Sequence, residues 1–288
     1  MGVLLGLLTA LAWGSSDFLA RFATRRIGSL RTTLYMQFTG LVLLTICLPW
    51  VGGWGHLLDG SGWQPWAWGA LAGVFNGVAS LALYRSFEIG KMAVVAPLSA
   101  SYPALTVVLS LFSGEQLTAF RAAGIVLVLA GVVAVARGER VADEPAAAKA
   151  SSGIGWAILS AVGFGILFWL LGTRVVPAVG FAATVWMIRL TSSILTAGVI
   201  LAGSQKIAPP REISISGLLL SMGLLDTAAF VLNNRGMQLE QVSVVSVLAS
   251  LYGAVTVLLA AVFLRERLAR WQWLGIAAIF AGIGLISR

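Results

Sequence analysis

Long apolar runs, parted by short polar or glycine-rich breaks, recur along the whole chain. They lie at 3–22, 31–50, 66–87, 92–112, 120–137, 153–172, 178–203, 214–234, 242–263 and 270–287. A helix needs roughly 20 apolar residues to cross the hydrocarbon core of a bilayer. In lipid the backbone must satisfy its own hydrogen bonds, so runs of this length predict helices and not strands. The pattern predicts an all-α membrane protein with ten transmembrane helices. One clearly hydrophilic stretch, Gly138 to Ser152 (GERVADEPAAAKASS), falls almost midway and carries charge, proline and alanine. It reads as a linker, dividing a first five-helix unit at 1–137 from a second at 153–288.

The two units repeat each other. VVAPLSASYPALTVVLSLFSGEQLTAFRAAGIVLVLAG, from Val94, is written again from Val244 as VVSVLASLYGAVTVLLAAVFLRERLARWQWLGIAAIFAG. At an offset of 150, Tyr102, Ala104, Thr106 and Val107 meet Tyr252, Ala254, Thr256 and Val257. One inserted residue later, Phe112, Glu115, Gly124 and Gly131 meet Phe263, Glu266, Gly275 and Gly282. Upstream the match is weaker: Gly6, Gly14, Thr24 and Arg25 meet Gly155, Gly163, Thr173 and Arg174 at 149, and Gly73 and Arg85 meet Gly223 and Arg235 at 150. There Asn76 faces Asp226. A unit of five crossings is odd, so its copy enters the membrane from the other side. The expected architecture is two inverted five-helix repeats, the layout of alternating-access carriers with a site near the midplane.

Composition agrees with lipid as the solvent. Of 288 residues 59% are hydrophobic and 10% charged, with mean hydropathy +0.94, against about 25% charged residues in a soluble domain. The net charge of +8 forms no contiguous basic face, so no nucleic-acid partner is expected. The basic residues instead set orientation. Breaks after the odd-numbered runs, with their flanks, hold Arg21, Arg25, Arg26, Arg31, Arg85, Lys91, Arg137, Arg140, Lys149, Lys206, Arg211, Arg265, Arg267 and Arg270, against Arg121, Arg174, Arg235 and Arg288 on the other side. That excess places the first set in the cytoplasm and both termini outside. Trp50, Trp54, Trp63, Trp66 and Trp68 would then form an outer interfacial belt. The N-terminus lacks a basic region and cleavage site, so the first run is expected to be retained as a span.

With these features the chain resembles a ten-span member of the drug/metabolite transporter superfamily, of the EamA type. The resemblance rests on the paired stretches quoted above, on the opening LTALAWGSSDFLARF, and on the duplicated five-span layout. It implies an exporter or permease for small organic solutes, with a cavity formed by spans 1–4 and 6–9 and spans 5 and 10 packed outside. Relatives are commonly drawn with both termini cytoplasmic, the reverse of the charge count. Their second span often carries a central arginine, where this chain has Gln37 and Gly40 and places Arg189 in the matching seventh span.

Ionisable residues inside a membrane are costly and mark function by default. Asp226, Arg189 and Asp17 fall within runs eight, seven and one. Asp226 is either a protonatable site or a counter-charge for a cationic group, and Arg189 either binds a carboxylate or neutralises Asp226. A structural Asp226–Arg189 pair locking two helices is the plainer alternative, and Asp17 has the alternative of snorkelling to an interface. Phe230 and Asn233 share a helical face with Asp226, and Asn76 and Ser80 occupy the matching places on run three. Trp186 and Ser193 flank Arg189. Tyr102 and Thr106 form an i, i+4 pair that Tyr252 and Thr256 repeat. The predicted lining is Asp17, Asn76, Tyr102, Trp186, Arg189, Asp226, Asn233 and Tyr252, with Asp226 and Asp17 as proton-coupling candidates; for each polar member interhelical hydrogen bonding is the alternative. Trp13 and Trp169 either line the cavity or face lipid. Pro97 and Pro103 interrupt run four as a hinge or a static kink, and Val247 and Gly253 in the second copy make any hinge asymmetric. Glu115 and Glu266 are read as caps of the helices that follow them.

One histidine (His56) and one cysteine (Cys47) exclude an intrachain disulfide, a Cys–His nucleophile pair and a Cys/His metal site. No lysine stands in a glycine-rich phosphate loop, so no ATP-driven cycle and no cofactor is expected. The function expected is secondary transport of a small organic solute such as an amino acid, metabolite or drug-like molecule, with coupling to protons as the motive mechanism to test first. The partners are that solute and the bilayer, the working form is a monomer, and the setting is a bacterial inner (plasma) membrane. A non-transporting sensor or assembly partner is the alternative from another class.

Overall fold

Among the described residues the chain is helix and turn, without strands. The computed structural model describes residues 1–50, 53, 58–60, 62–90, 92–136, 153–203, 207, 210, 212–263 and 270–286. The 138–152 linker, Trp54, His56, Glu266 and the basic residues Lys91, Arg137, Arg140, Lys149, Lys206, Arg211, Arg265, Arg267 and Arg288 lie outside them. Helices α1 (Gly2–Ile27), α2 (Ser29–Cys47) and α3 (Gln64–Ile89) are continuous. The fourth is split into α4a (Met92–Ser99) and α4b (Pro103–Phe112), and α5 is Ala119–Ala136. In the second half, α6 runs from Ile154–Leu170 through a π-helical turn, Leu171–Val175, to Val176–Val179. Then follow α7 (Phe181–Ala202), α8 (Ile213–Leu239), the split α9a (Val242–Ala249) and α9b (Tyr252–Phe263), and α10 (Arg270–Ile286).

Among the described residues seven helical segments are long and apolar enough to cross a membrane: Gly2–Ile27, Ser29–Cys47, Gln64–Ile89, Ile154–Val179, Phe181–Ala202, Ile213–Leu239 and Val242–Leu259. Ten such segments were expected from the sequence. The fourth is broken, and for the fifth and tenth only shorter stretches fall within the described residues. Polarity is arranged as lipid demands. Leu4, Leu8 and Leu11 on α1 and Phe38, Val42 and Ile46 on α2 are exposed in steps of three and four, while Gln37, Asn76, Arg189, Asn233 and Asn234 are fully buried. The apolar stripe meets hydrocarbon, and polar groups find their partners inside.

Each helix of one half packs on the other half as its counterpart does. Helix α1 lies against α8 and α9, and α6 lies against α3 and α4. The Thr256 hydroxyl donates to Gly14 O at 3.2 Å, and the Thr106 hydroxyl to Gly165 O at 3.1 Å. A Cβ on Gly14 would meet Tyr252 O at 2.9 Å, and one on Gly165 would meet Tyr102 O at 3.0 Å. These contacts pair Gly14 with Gly165, and so correct the sequence match of Gly14 with Gly163. The offset grows from 151 at Gly14 and Gly165 to 152 at Gly28 and Gly180, the glycines with φ near +80° that reverse the chain into α2 and α7. One extra residue is what a π-helical turn absorbs, and that turn lies between those points in α6.

Helices α5 and α10 show the direction of the relation. A Cβ on Gly124 would meet Gly282 O at 2.8 Å, and one on Gly131 would meet Gly275 O at 2.7 Å. Rising numbers on one helix face falling numbers on the other, so these two counterparts run antiparallel. Glycine is required here because a side chain would strike backbone.

Two expectations change. The break at Ala100–Tyr102 in α4 recurs at Ser250–Leu251 in α9, so it is symmetric and does not depend on proline. Both breaks tighten into i→i+3 bonds, Tyr102 N–H to Ser99 O at 3.3 Å and Gly253 N–H to Ser250 O at 3.3 Å. In both a serine hydroxyl bonds back to the chain, Ser101 to Leu98 O at 2.6 Å and Ser250 to Val247 O at 2.7 Å, a habit that bends helices. Glu115 does cap a helix, but not the one that follows it. Its carboxylate accepts from the Ser243 N–H at 3.4 Å and from the Ser243 hydroxyl, at the start of α9a in the other half. Arg121 reinforces that junction with an ion pair to Glu240 at 2.8 Å.

Candidate functional site

A cavity lies where the halves meet, and helical periodicity builds most of it. Four helices each contribute two side chains one turn apart, which fall on one face: Trp13 and Asp17 from α1, Ser80 and Tyr84 from α3, Phe164 and Phe168 from α6, Asp226 and Phe230 from α8. The breaks deliver Tyr102 and Tyr252, and Met36 and Leu83 complete the wall. The structural register makes Trp13 the counterpart of Phe164, Asp17 of Phe168, Ser80 of Phe230 and Tyr102 of Tyr252. The approximate two-fold axis therefore passes through the cavity. The two tyrosines stack across it, ring centres 6.4 Å apart and planes 14° from parallel.

The cavity measures about 30 Å³. That is room for one or two waters and not for an organic solute. Its wall is a continuous set of rings: Trp13 lies 5.0 Å from Phe230 and 5.4 Å from Phe168, and Tyr102 lies 4.9 Å from Phe168.

Behind the wall a polar relay joins four helices. Arg189, 0% exposed, donates from Nη2 to Asp226 Oδ2 at 2.5 Å and from Nη1 to Gln37 Oε1. Gln37 Nε2 in turn donates to Ser80 Oγ at 3.5 Å. The guanidinium also sits 4.8 Å over the Phe230 ring. Its Nε lies beside Gly40, without a hydrogen-bond partner among the described residues. Breaking such a pair by removing one partner costs about 3–5 kcal/mol, because the other charge stays buried.

Asp17 is placed differently. It is 6% exposed, and no described residue pairs with it; the charge acting on it is that of Asp226. The Tyr252 hydroxyl beside it also lacks a partner. The cavity thus holds one carboxylate paired with a cation and one without such a partner.

Of the eight residues expected to line a site, the structure brings Asp17, Tyr102, Asp226 and Tyr252 to the wall. Arg189 stands behind it. Asn76 serves helix contact, donating to Ser192 Oγ at 3.0 Å, as Ser192 donates to Gly73 O at 2.8 Å. Trp186 donates to Thr45 Oγ1 at 2.9 Å, and Asn233 lies 3.7 Å from the sulfur of Met237 on its own helix. Trp13, weighed in the sequence between cavity and lipid, lines the cavity, whereas Trp169 donates to Ser113 Oγ at 2.7 Å. Tyr84, Phe164 and Phe168 are wall residues the sequence did not single out. For Tyr84 a signal existed: the chain has only four tyrosines, and three of them line this cavity. Among the described residues no group of three His, Cys, Asp or Glu is placed to hold a metal.

Comparison with known proteins adds three findings. A family model described as the EamA-like transporter family matches residues 1–137 and 151–288. An uncharacterized protein of Methanocaldococcus jannaschii is 30% identical over 132 residues, which is 46% of this chain and 93% of the relative. That relative is therefore about as long as one half. A crystal structure described only as that of a protein superposes with a TM-score of 0.77 at 20% identity, covering 99% of this chain and 95% of the other, and so shows a shared fold.

Proposed function

The chain belongs to the EamA-like transporter family, and from that premise we propose that it is a secondary carrier for a small organic solute, working by alternating access. It is a multi-pass integral membrane protein. The proposed architecture has ten crossings in two inverted five-helix repeats, 1–137 and 153–288. The antiparallel pairing of α5 with α10 supports inversion, since equivalent helices in contact run opposite ways only when the copies are inverted. A bacterial inner membrane is the proposed setting and a monomer the proposed working unit.

One observation carries the reading: a water-sized cavity on the axis between the halves, walled by rings and by two carboxylates. A site between two halves related by a two-fold axis is where a carrier of this layout holds its solute, and the breaks in α4 and α9 give its walls a place to bend. Asp17 and Asp226 are the proposed proton-coupling groups. Asp226, Arg189, Tyr84 and Tyr252 are the ionisable groups around Asp17 that would tune it.

Flux into proteoliposomes, driven by a pH gradient and screened over amines, amino acids and other metabolites, tests the proposal. At least one solute should move faster than into empty liposomes, and Asp17→Asn should remove the dependence on the gradient. If nothing moves, the protein is not a carrier. Should transport survive both Asp17→Asn and Asp226→Asn with its pH profile intact, the proton coupling is wrong.

A further inference from the structure

Resting on the carrier reading, we infer that the solute is recognised through a cationic group, an organic amine or quaternary ammonium, bound between Asp17 and the aromatic wall. Charge balance is the first reason. Two carboxylates face the cavity and one guanidinium stands behind it, which leaves one carboxylate without a cation. Arg189 has given its two terminal nitrogens to Asp226 and Gln37, and its third nitrogen faces Gly40. A solute carboxylate would find no cation on the wall, so an anion is repelled and a zwitterion gains only at its amino end.

The second reason is where the two-fold frame is broken. The counterpart of Asp17 is Phe168, so a carboxylate on one side of the axis is answered by a ring on the other. Phe168 stacks in turn with Phe164 and Phe230 and lies tilted against Tyr102. Ring faces attract cations, most strongly where water is excluded. A carboxylate at one end and ring faces at the other suit an ammonium carrying apolar substituents. A metal cation that prefers six or more oxygens is poorly served. The third reason is that Asp17 is more than nine-tenths buried, lines the cavity, and has no partner of its own. Binding a cation supplies the missing one.

Three probes sharing a phenyl ring separate the outcomes: phenyltrimethylammonium, phenylalanine and 3-phenylpropionate. Their binding to purified protein is followed by calorimetry, and their flux in proteoliposomes. The cation should bind roughly tenfold or more tightly than either of the others. Asp17→Asn should weaken it about as much, while Asp17→Glu, which keeps the charge, should bind within about threefold of the parent. A melting curve for each variant guards against reading misfolding as lost recognition. Phenylalanine or 3-phenylpropionate bound as tightly as the cation, no binding of the cation, or cation binding indifferent to Asp17→Asn would each overturn the inference. Carriage of phenylalanine would do so and leave the carrier intact. Tight binding of the cation with no flux of any solute would do the opposite.

Discussion

Arg189 is the largest fully buried side chain among the described residues, and its cost is offset only by the groups around it. Arg189→Met would leave Asp226 buried without a cation, which should destabilise the fold by about 3–5 kcal/mol. Adding Asp226→Leu should recover most of that loss, because no charge is then stranded. Thermal unfolding in detergent, followed by intrinsic fluorescence, checks both, and a double variant no better than the single one would refute the pairing as the reason. At this scale the sequence was partly legible. Asp17 and Asp226 stand out because charge inside an apolar run is expensive, and the tyrosines because they recur at one register. Asn76, Asn233 and Trp186 could not be told from wall residues, since an inward polar group serves a neighbouring helix as readily as a cavity. Tyr84 adjoins Arg85 at the end of its run, where a tyrosine ordinarily anchors at the interface.

At the scale of the element, glycine sets how closely helices approach. A Cβ on Gly14 would fall 2.5 Å from Val255 Cβ and 2.9 Å from Tyr252 O, while one on Gly198 meets nothing within 4 Å. Gly14→Ala should therefore lower the melting temperature. Gly198→Ala should leave it unchanged or raise it, by the roughly 0.5–1 kcal/mol that glycine costs inside a helix. Melting curves of the two variants decide. The breaks in α4 and α9 allow another prediction. Because α9 breaks without proline, Pro103→Ala should keep transport within about twofold of the parent, serine back-bonding being sufficient to bend the helix. A collapse of flux would return the hinge to proline. The helices themselves were legible as long apolar runs. The register of α1 against α6 was not, because glycines recur at several spacings in both and only packing chooses among them. The second break carries no proline to announce it, and the partner of Glu115 lies in the other half of the chain.

For the whole molecule, the proposed inversion fixes which segments share a side. With five crossings in each half, a reporter placed in the linker near residue 145 and one at the C-terminus should report opposite sides of the membrane, with the linker cytoplasmic by the excess of basic residues. Paired alkaline phosphatase and fluorescent protein fusions read this directly, and the same side for both would refute the inverted arrangement. Duplication was legible in sequence because whole stretches repeat. The interlocking of the two halves was not, since it depends on which faces of α1 and α6 meet the opposite half. The stacked tyrosines carry a mechanical corollary. The rotation that exchanges the halves also exchanges the two rings, so tipping the bundle to uncover either mouth disturbs that contact by rotationally equivalent routes of similar difficulty. Any preference for one membrane face has to come from places where the copies are spelled differently, among them Asp17 against Phe168, Asp226 against Asn76 and Pro103 against Gly253. Swapping residues at such positions, with the scaffold untouched, should shift the direction in which the protein prefers to rest open.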